Sequence, residues 1–533
     1  MSGGTALNPK TAPTFPIAAS AMVGNTQLRK NVRHATDVIQ AKRARVVGEM
    51  PDWEALRDAG KAVREHTMRN LPFYLEQFER NCTAAGGHVH WARDAEEARA
   101  IVVRLAQEAI ARGRTSPAIV GKEAGEPQGT RPGWVETSNV PMQGEVIKIK
   151  SMTTEEVQLN RALEGAGIHP YETDLAELII QLGQDQPSHI VVPALHKNRQ
   201  QIREIFLREM KLDHLGESPQ DLADAARRFL REKFLRVETA ISGANFLIAE
   251  TGGVCVVESE GNGRMCLTLP KTLITLAGID KVVPRFQDME VLLQTLPRSA
   301  TGERMNPYNS VWTGVGKGYA AGDGPTEFHV VLLDNGRTEV LADPEGRQTL
   351  HCIRCGACQN ACPVYRETGG HAYGSVYAGP IGAILTPQLL GMQYAQSLPY
   401  ASSLCGACYE VCPVKINIPE VLVHLRGRVV KENTGGLKTI TNPEAMAMKA
   451  AGAIFRSERR FRAAQRLGRM AEAPLERRDG QGQKWVTWLP GMLGGWTSVR
   501  DLRAMPKQSF REWWEQRDRK PGTHERKTEE RDA

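Results

Sequence analysis

Seven of the chain's ten cysteines fall in two tight runs between Cys352 and Cys412, and no other feature restricts the fold so sharply. The first run, Cys352-Ile-Arg-Cys355-Gly-Ala-Cys358-Gln-Asn-Ala-Cys362-Pro363, fits C-x2-C-x2-C-x3-C-P without a gap, the bacterial pattern for binding an iron–sulfur cluster. A cubane cluster is held by thiolates on separate corners. The two-residue spacing lets one short loop wrap three corners, with the small residues Gly356 and Ala357 permitting close approach, while the fourth cysteine turns away. In two-cluster ferredoxins that fourth cysteine ligates the other cluster. A second run is present: Cys405-Gly-Ala-Cys408-Tyr-Glu-Val-Cys412-Pro413. Crossed ligation then assigns Cys352, Cys355, Cys358 and Cys412 to cluster one and Cys362, Cys405 and Cys408 to cluster two. It places the two clusters near each other, as an electron relay requires.

Cluster two is one thiolate short, because alignment of the runs puts Ser402 where the leading cysteine would stand. Three outcomes stay open: a [3Fe-4S] cluster, a [4Fe-4S] cluster with Ser402 or another oxygen or nitrogen ligand, or a [4Fe-4S] cluster with one iron open to solvent or substrate. Ser402 also reads as a helix cap or loop hydroxyl. Zinc is the competing metal, since C-x2-C pairs bind it tetrahedrally, but two all-cysteine zinc sites would need eight cysteines. Cys82, Cys255 and Cys266 are scattered, and the last two lie in or beside apolar segments, as small buried hydrophobes do. Clustered thiols in a long chain are not a disulfide framework, so a reducing, cytoplasmic setting is expected.

With 533 residues the chain has room for two or three domains. No window approaches the ~18 uninterrupted apolar residues of a spanning helix, and the apolar stretch Phe15–Gly24 has too few bases before it for a secretory signal. Residues 1–25 read as a disordered arm. Residues 26–83 have helical periodicity, with a break expected at Pro72. Over 84–344 strands alternate with helices, as in a mostly parallel α/β sheet. Its strand candidates are His88–Trp91, Pro117–Val120, Val146–Ile149, His189–Val192, Phe246–Ala249, Val254–Val257 and Val330–Leu333. One helix is expected from Asp94 to Arg112 and another from Thr154 to Ala166, the latter with a capping box at Thr153 and Glu156. The Gly- and Pro-rich stretch 121–144 reads as an insertion. Residues 345–432 form the cysteine module, and 433–533 a basic C-terminal extension. The net charge is +7, and the segment from Ala451 onward carries all of it. Its basic helices read first as a solvated face, and its bases and tryptophans, which form no clean stripe, suit a partner-protein dock better than nucleic acid or a membrane, with peripheral membrane contact left open.

Short matches spread along the chain resemble the lactate utilization protein B (LutB/YkgF) family of iron–sulfur proteins. They include Ser151-Met-Thr-Thr-Glu-Glu-Val157, Gly243-Ala-Asn-Phe246, Ala249-Glu-Thr-Gly252, Glu260-Gly-Asn-Gly-Arg264 and Asp334-Asn-Gly-Arg337, and, past the first cysteine run, Pro363-Val-Tyr-Arg366 and Gly379-Pro-Ile-Gly382. The resemblance implies an α/β LUD domain of the NagB/RpiA/CoA-transferase-like kind, joined to an α-helical ferredoxin domain holding two [4Fe-4S] clusters. It implies an electron-transfer subunit that acts with companion lactate-utilisation subunits in oxidising L-lactate to pyruvate and passes electrons to an unknown acceptor. No catalytic residue is assigned, and the insertion and the basic tail put the partner surface in doubt. A second reading makes the LUD domain a binder of small carboxylates, or a catalyst acting on them, through Asn245, Glu250 and Arg264 near strand ends, with the clusters sensory or regulatory.

Overall fold

A computed structural model of the chain describes residues 10–115, 143–315, 324–434, 442–498 and 500–518. It divides into two compact units, Met1–Val429 and Val430–Ala533. Among the described residues no helix is long and apolar enough to cross a membrane.

The first unit is built on a six-stranded sheet in the order β1 (His88–Ala92), β10 (Glu327–Leu333), β7 (Thr272–Gly278), β4 (Thr239–Ser242), β2 (Gly144–Lys148), β3 (Ile168–Glu172), every pairing parallel. Its inner strands are continuous apolar runs: all seven residues of β7 are buried, as are Phe328–Leu333 of β10. That is the pattern of strands covered on both faces. One face packs on the helix Ala95–Thr115 through Ala98, Val102 and Leu105, and Asp94 Oδ1 caps that helix by accepting from Glu96 N and Glu97 N. The other face is covered by helices that include Leu71–Ala84 and Pro219–Arg236.

Several expected segments take another form. Phe246–Ala249 and Val254–Val257 are strands, but of a second, four-stranded sheet, in the order β8 (Val282–Val283), β5 (Phe246–Ile248), β6 (Gly253–Glu258), β9 (Tyr308–Trp312), in which β6 runs antiparallel to both neighbours. His189–Val192 is a loop, folded on itself by Val191 N and Val192 N donating to His189 Nδ1 at 3.0 Å each. The helix expected over Thr154–Ala166 is two, Met152–Glu156 and Leu159–Gly165. The first is capped by Ser151, whose Oγ accepts from Thr154 N, rather than by Thr153. Where a loose arm is expected over 1–25, Phe15–Val23 is a helix, α1, with the Phe15 ring 4.9 Å from that of Tyr373. Pro117–Val120 and nearly all of the insertion 121–144 lie outside the described residues.

Next come α2 (Thr26–Gly48), α3 (Trp53–Arg69) and α4 (Leu71–Ala84), the break falling at Asn70 with Pro72 in the first turn of α4. α2 and α3 lie on the cysteine module, with Gln40 donating to Asn360 O at 2.7 Å and Arg29 pairing with Glu367 at 2.7 Å. The second unit comprises helices Pro443–Phe455, Glu458–Glu472 and Phe510–Asp518, with a three-stranded antiparallel sheet between the last two.

A buried ion network fastens the cysteine module to the carboxyl ends of the parallel strands. Arg337, just past β10, donates to Asp280 past β7 at 2.6 Å and to Glu156 at 2.8 Å. Arg354, inside the first cysteine run, reaches the other oxygen of Asp280 at 3.3 Å, and Tyr377 Oη donates to Glu156 at 2.6 Å. Burial alone would raise the pKa of Asp280, but Arg337, followed by Arg354 and Lys281, outweighs it and holds the carboxyl well below the ordinary range. The Asp280→Asn substitution leaves these guanidinium groups buried without their shared anion. It is expected to cost about 3–5 kcal/mol, read as a lower urea midpoint at neutral pH. Because the folded pKa is depressed, the wild type's advantage is full above the ordinary carboxylate range, starts to shrink as the pH falls through that range, where Asp280 of the unfolded chain takes up its proton, and is lost as the pH falls on through the folded carboxyl's lower value.

Candidate functional site

The two cysteine runs fold alike. In the first, Arg354 (φ 61°), Cys355 and Gly356 (φ 73°) lead into the helix Ala357–Ala361. In the second, Leu404 (φ 56°), Cys405 and Gly406 (φ 84°) lead into the helix Ala407–Glu410. Two left-handed residues flank one cysteine in each run, a turn that glycine adopts freely and that bends the chain around a central object. The matching backbones make Cys405 the counterpart of Cys355 and Cys408 that of Cys358. Ser402 then occupies the place of Cys352, where its Oγ accepts from Leu404 N at 3.1 Å as a loop hydroxyl.

Cys352, Cys355 and Cys358 line one small cavity together with Cys412 of the second run. Cys362 turns away, and the charges of Cys405 and Cys362 act on Cys408. Cys355, Cys358 and Cys412 are buried, whereas Cys405 is exposed, so the second group opens to solvent. Backbone amides aim at the sulfurs: Arg354 N at Cys352 Sγ (3.4 Å), Tyr365 N at Cys362 Sγ (3.5 Å) and Ile416 N at Cys412 Sγ (3.3 Å). Burial pushes the Cys412 thiol up to about 11 and that of Cys408 to about 12, and Cys355 and Cys358 rise further as neighbouring thiols add their repulsion. Buried thiols that oppose one another's ionisation, yet face N–H donors suited to thiolates, fit a polynuclear metal that supplies the positive charge. Zinc needs four donors about one ion, and this is a wider, seven-donor arrangement. Cys82, Cys255 and Cys266 are buried apart from these groups, and burial raises each of them to about 11 or 12, the condition of an inert thiol.

Cations surround the first group. Arg64, Lys281 and Arg354 are buried, and the charge of Cys352 acts on all three, while Arg57 donates to Cys412 O at 2.9 Å and to Tyr409 O at 3.0 Å. Burial brings the guanidinium of Arg64 down to about 10 and the Lys281 ammonium to about 8. None of these residues stands out in the sequence, because α3, the loop after β7 and the cysteine run come together only in the fold.

A cavity of about 230 Å³ abuts this group, lined by residues past the carboxyl ends of β2, β3, β4 and β7 and by Arg354 and Cys355. Asn245 lines it, with its Oδ1 accepting from Val257 N at 3.0 Å. Glu250 and Arg264 are not among its lining residues. Glu250 is exposed and accepts from Phe286 N at the start of the helix Phe286–Ala300, and Arg264 is exposed with its amide directed at Glu258. The three residues grouped from the sequence therefore do not converge, and the polar lining of the cavity includes, besides Asn245, the side chains of Lys150, Lys281, Asn262 and Ser151.

Residues 75–333 match the LUD domain, 348–416 a 4Fe-4S dicluster domain, and 425–519 the lactate utilisation protein B C-terminal domain. The chain is 41% identical to lactate utilization protein B of Bacillus licheniformis over 95% of its own length and 98% of that protein's. It is 40% identical to the Bacillus subtilis protein of the same name, over 96% and 98%. The chain belongs to the lactate utilization protein B family.

In this family member the loop carrying Cys412 is held on α3 by Arg57. Arg57→Met is expected to cost about 1.5–3 kcal/mol and to speed the loss of iron to a chelator. The fall of visible charge-transfer absorbance reads this out, with Arg57→Lys intermediate.

Proposed function

We propose that this protein is the iron–sulfur electron-transfer subunit of a lactate-oxidising system, holding two [4Fe-4S] clusters. One is ligated by Cys352, Cys355, Cys358 and Cys412. The other is ligated by Cys362, Cys405 and Cys408, with a fourth position not filled by cysteine. The observation that carries this reading is Cys412: a residue of the second run lines the cavity of the first, the crossing expected of a two-cluster relay. The names of its relatives supply the process, lactate utilisation, and the oxidation is that of L-lactate to pyruvate in the cytoplasm, with companion subunits and an electron acceptor still to be identified. When bound, such clusters accept and release single electrons.

The polypeptide sets where and how readily that happens. Arg64, Lys281 and Arg354 offset the negative charge that thiolates bring and that an added electron increases, which favours reduction at the first site. Amide donors to Cys352, Cys362 and Cys412 act in the same sense. Exposure of Cys405 gives the second group a face from which an electron can leave to a partner. No acid–base residue is required of this subunit.

Iron and acid-labile sulfide analysis with EPR on anaerobically purified protein tests the reading. About eight irons per chain and a spin-coupled signal after dithionite reduction are expected of two four-iron centres. About seven irons with a signal already present in the oxidised protein would replace the second by a three-iron cluster, and zinc without iron would overturn the relay. Cys412→Ser should disturb the same EPR signal as Cys355→Ser, and Cys362→Ser the same one as Cys408→Ser. Unimpaired lactate oxidation by the complex carrying Cys355→Ser would remove the electron-transfer role.

A further inference from the structure

The cavity beside Cys355 sits where open α/β sheets receive ligands, outside the carboxyl ends of parallel strands. Its strongest chemical feature is Lys281. This side chain is nine-tenths buried, follows directly on Asp280, and lines the cavity, yet among the described residues its ammonium makes no hydrogen bond or ion pair. Asp280 is already committed to Arg337 and Arg354, and Arg64 and Arg354 add positive charge nearby. A buried ammonium in such company calls for an anion. Two buried polar atoms on the same wall also lack partners, Asn262 Oδ1 and Arg354 Nε.

The carboxylates that line the cavity do not meet this need. Asp174 caps the helix Leu175–Leu182, Glu258 accepts from Glu260 N and Gly261 N, and Glu303 is exposed. Beside polar residues such as Lys150, Ser259 and Asn306, the lining includes an apolar wall formed by Ile190, Val256, Val257 and Leu296. An inorganic anion would satisfy Lys281 but leave that wall against water, whereas a short organic acid satisfies both.

We propose that this cavity binds a small organic carboxylate, with its charge held by Lys281 and its carbon skeleton against the apolar wall, in contact with the polypeptide that carries cluster one. Cys355 and Arg354 belong to both cavities, so the bound anion lies next to the cluster and lowers its reduction potential. This second consequence rests on the proposed ligation of cluster one by Cys355. The binding itself does not.

Titration calorimetry of the iron-loaded, full-length protein with L-lactate, pyruvate and inorganic phosphate tests the proposal. Saturable binding of one of the carboxylates, tighter than phosphate, is expected, with roughly tenfold or greater weakening in Lys281→Met and a smaller loss in Lys281→Arg. Asn262→Asp, which changes charge and not shape, should also weaken it and guards against a Lys281 variant that fails to fold. A redox titration monitored by EPR should show the first cluster's midpoint falling when the carboxylate saturates. Absence of carboxylate binding, equal affinity for phosphate, or binding unchanged in both variants would overturn the site. A midpoint that shifts in Lys281→Met while wild type binds nothing would make Lys281 a counter-charge for the cluster alone, and would also overturn it. Iron content measured on the same sample separates failure of this site from failure of the cluster assignment.

Discussion

Asp280 is the point on which the two halves of the first unit turn. It is fully buried at the end of the central strand β7 and receives Arg337 from the sheet and Arg354 from the cysteine run. Arg64 of α3 donates to the backbone carbonyls of Val282 and Leu350 beside it. Buried charges of this kind contribute little net stability compared with well-packed apolar residues, but removing one partner is costly because the others stay desolvated. The network's effect is therefore positional. It fixes the first cysteine run at one register against the carboxyl ends of the strands, and with it the wall shared by the two cavities.

That placement explains features a ferredoxin module alone would not need. The loop His189–Val192 leaves the sheet and is held on the first run's helix, Ile190 N donating to Gln359 Oε1 at 3.2 Å and His189 meeting Asn360 Oδ1 at 3.1 Å. α2 and α3 add to this cover through Gln40, which also reaches Asn360, and through Arg57. Clusters held by short loops are exposed to solvent and oxygen unless something covers them. Here the cover is supplied by the α/β domain and the N-terminal helices, which leaves Cys405 as the exposed thiol of the seven.

How much of this could be seen in the sequence depends on the range of the interactions involved. The cysteine runs were legible because their chemistry is local: spacing, small residues and the closing prolines all lie within one loop. The β10 run Val330–Leu333 and the helix beginning at Ala95 were legible for the same reason, since periodicity and an acidic cap are short-range signals. β3 was not, because Ile168-His-Pro-Tyr-Glu172 lacks a β-branched run and carries Pro170, which an edge strand tolerates. His189–Val192 has strand composition but is claimed by hydrogen bonds to residues about 170 positions away. Asn245, Glu250 and Arg264 were grouped by their nearness to strand ends. Yet Glu250, past β5, is drawn to the start of the helix Phe286–Ala300, and Arg264, in the helix Asn262–Thr268 after β6, is exposed, while Asn262 two residues before it lines the cavity. Lys281 had no local signal at all. Its meaning comes from what surrounds it.

The arrangement also gives the proposed relay a direction. At the first cysteine group the surroundings are buried and cationic, which stabilises added negative charge; at the second, Cys405 is at the surface, where water screens charge. In the proposed relay an electron is therefore held more readily on the side of the cavity and released more readily on the side of Cys405. A carboxylate bound beside Lys281 cancels part of the positive field at the first site, making that site the weaker acceptor and pushing an electron already present toward the second. On this reading the joining of an α/β ligand cavity to a two-cluster module lets the occupancy of one bias the electron distribution of the other, through charge alone and without movement of the backbone.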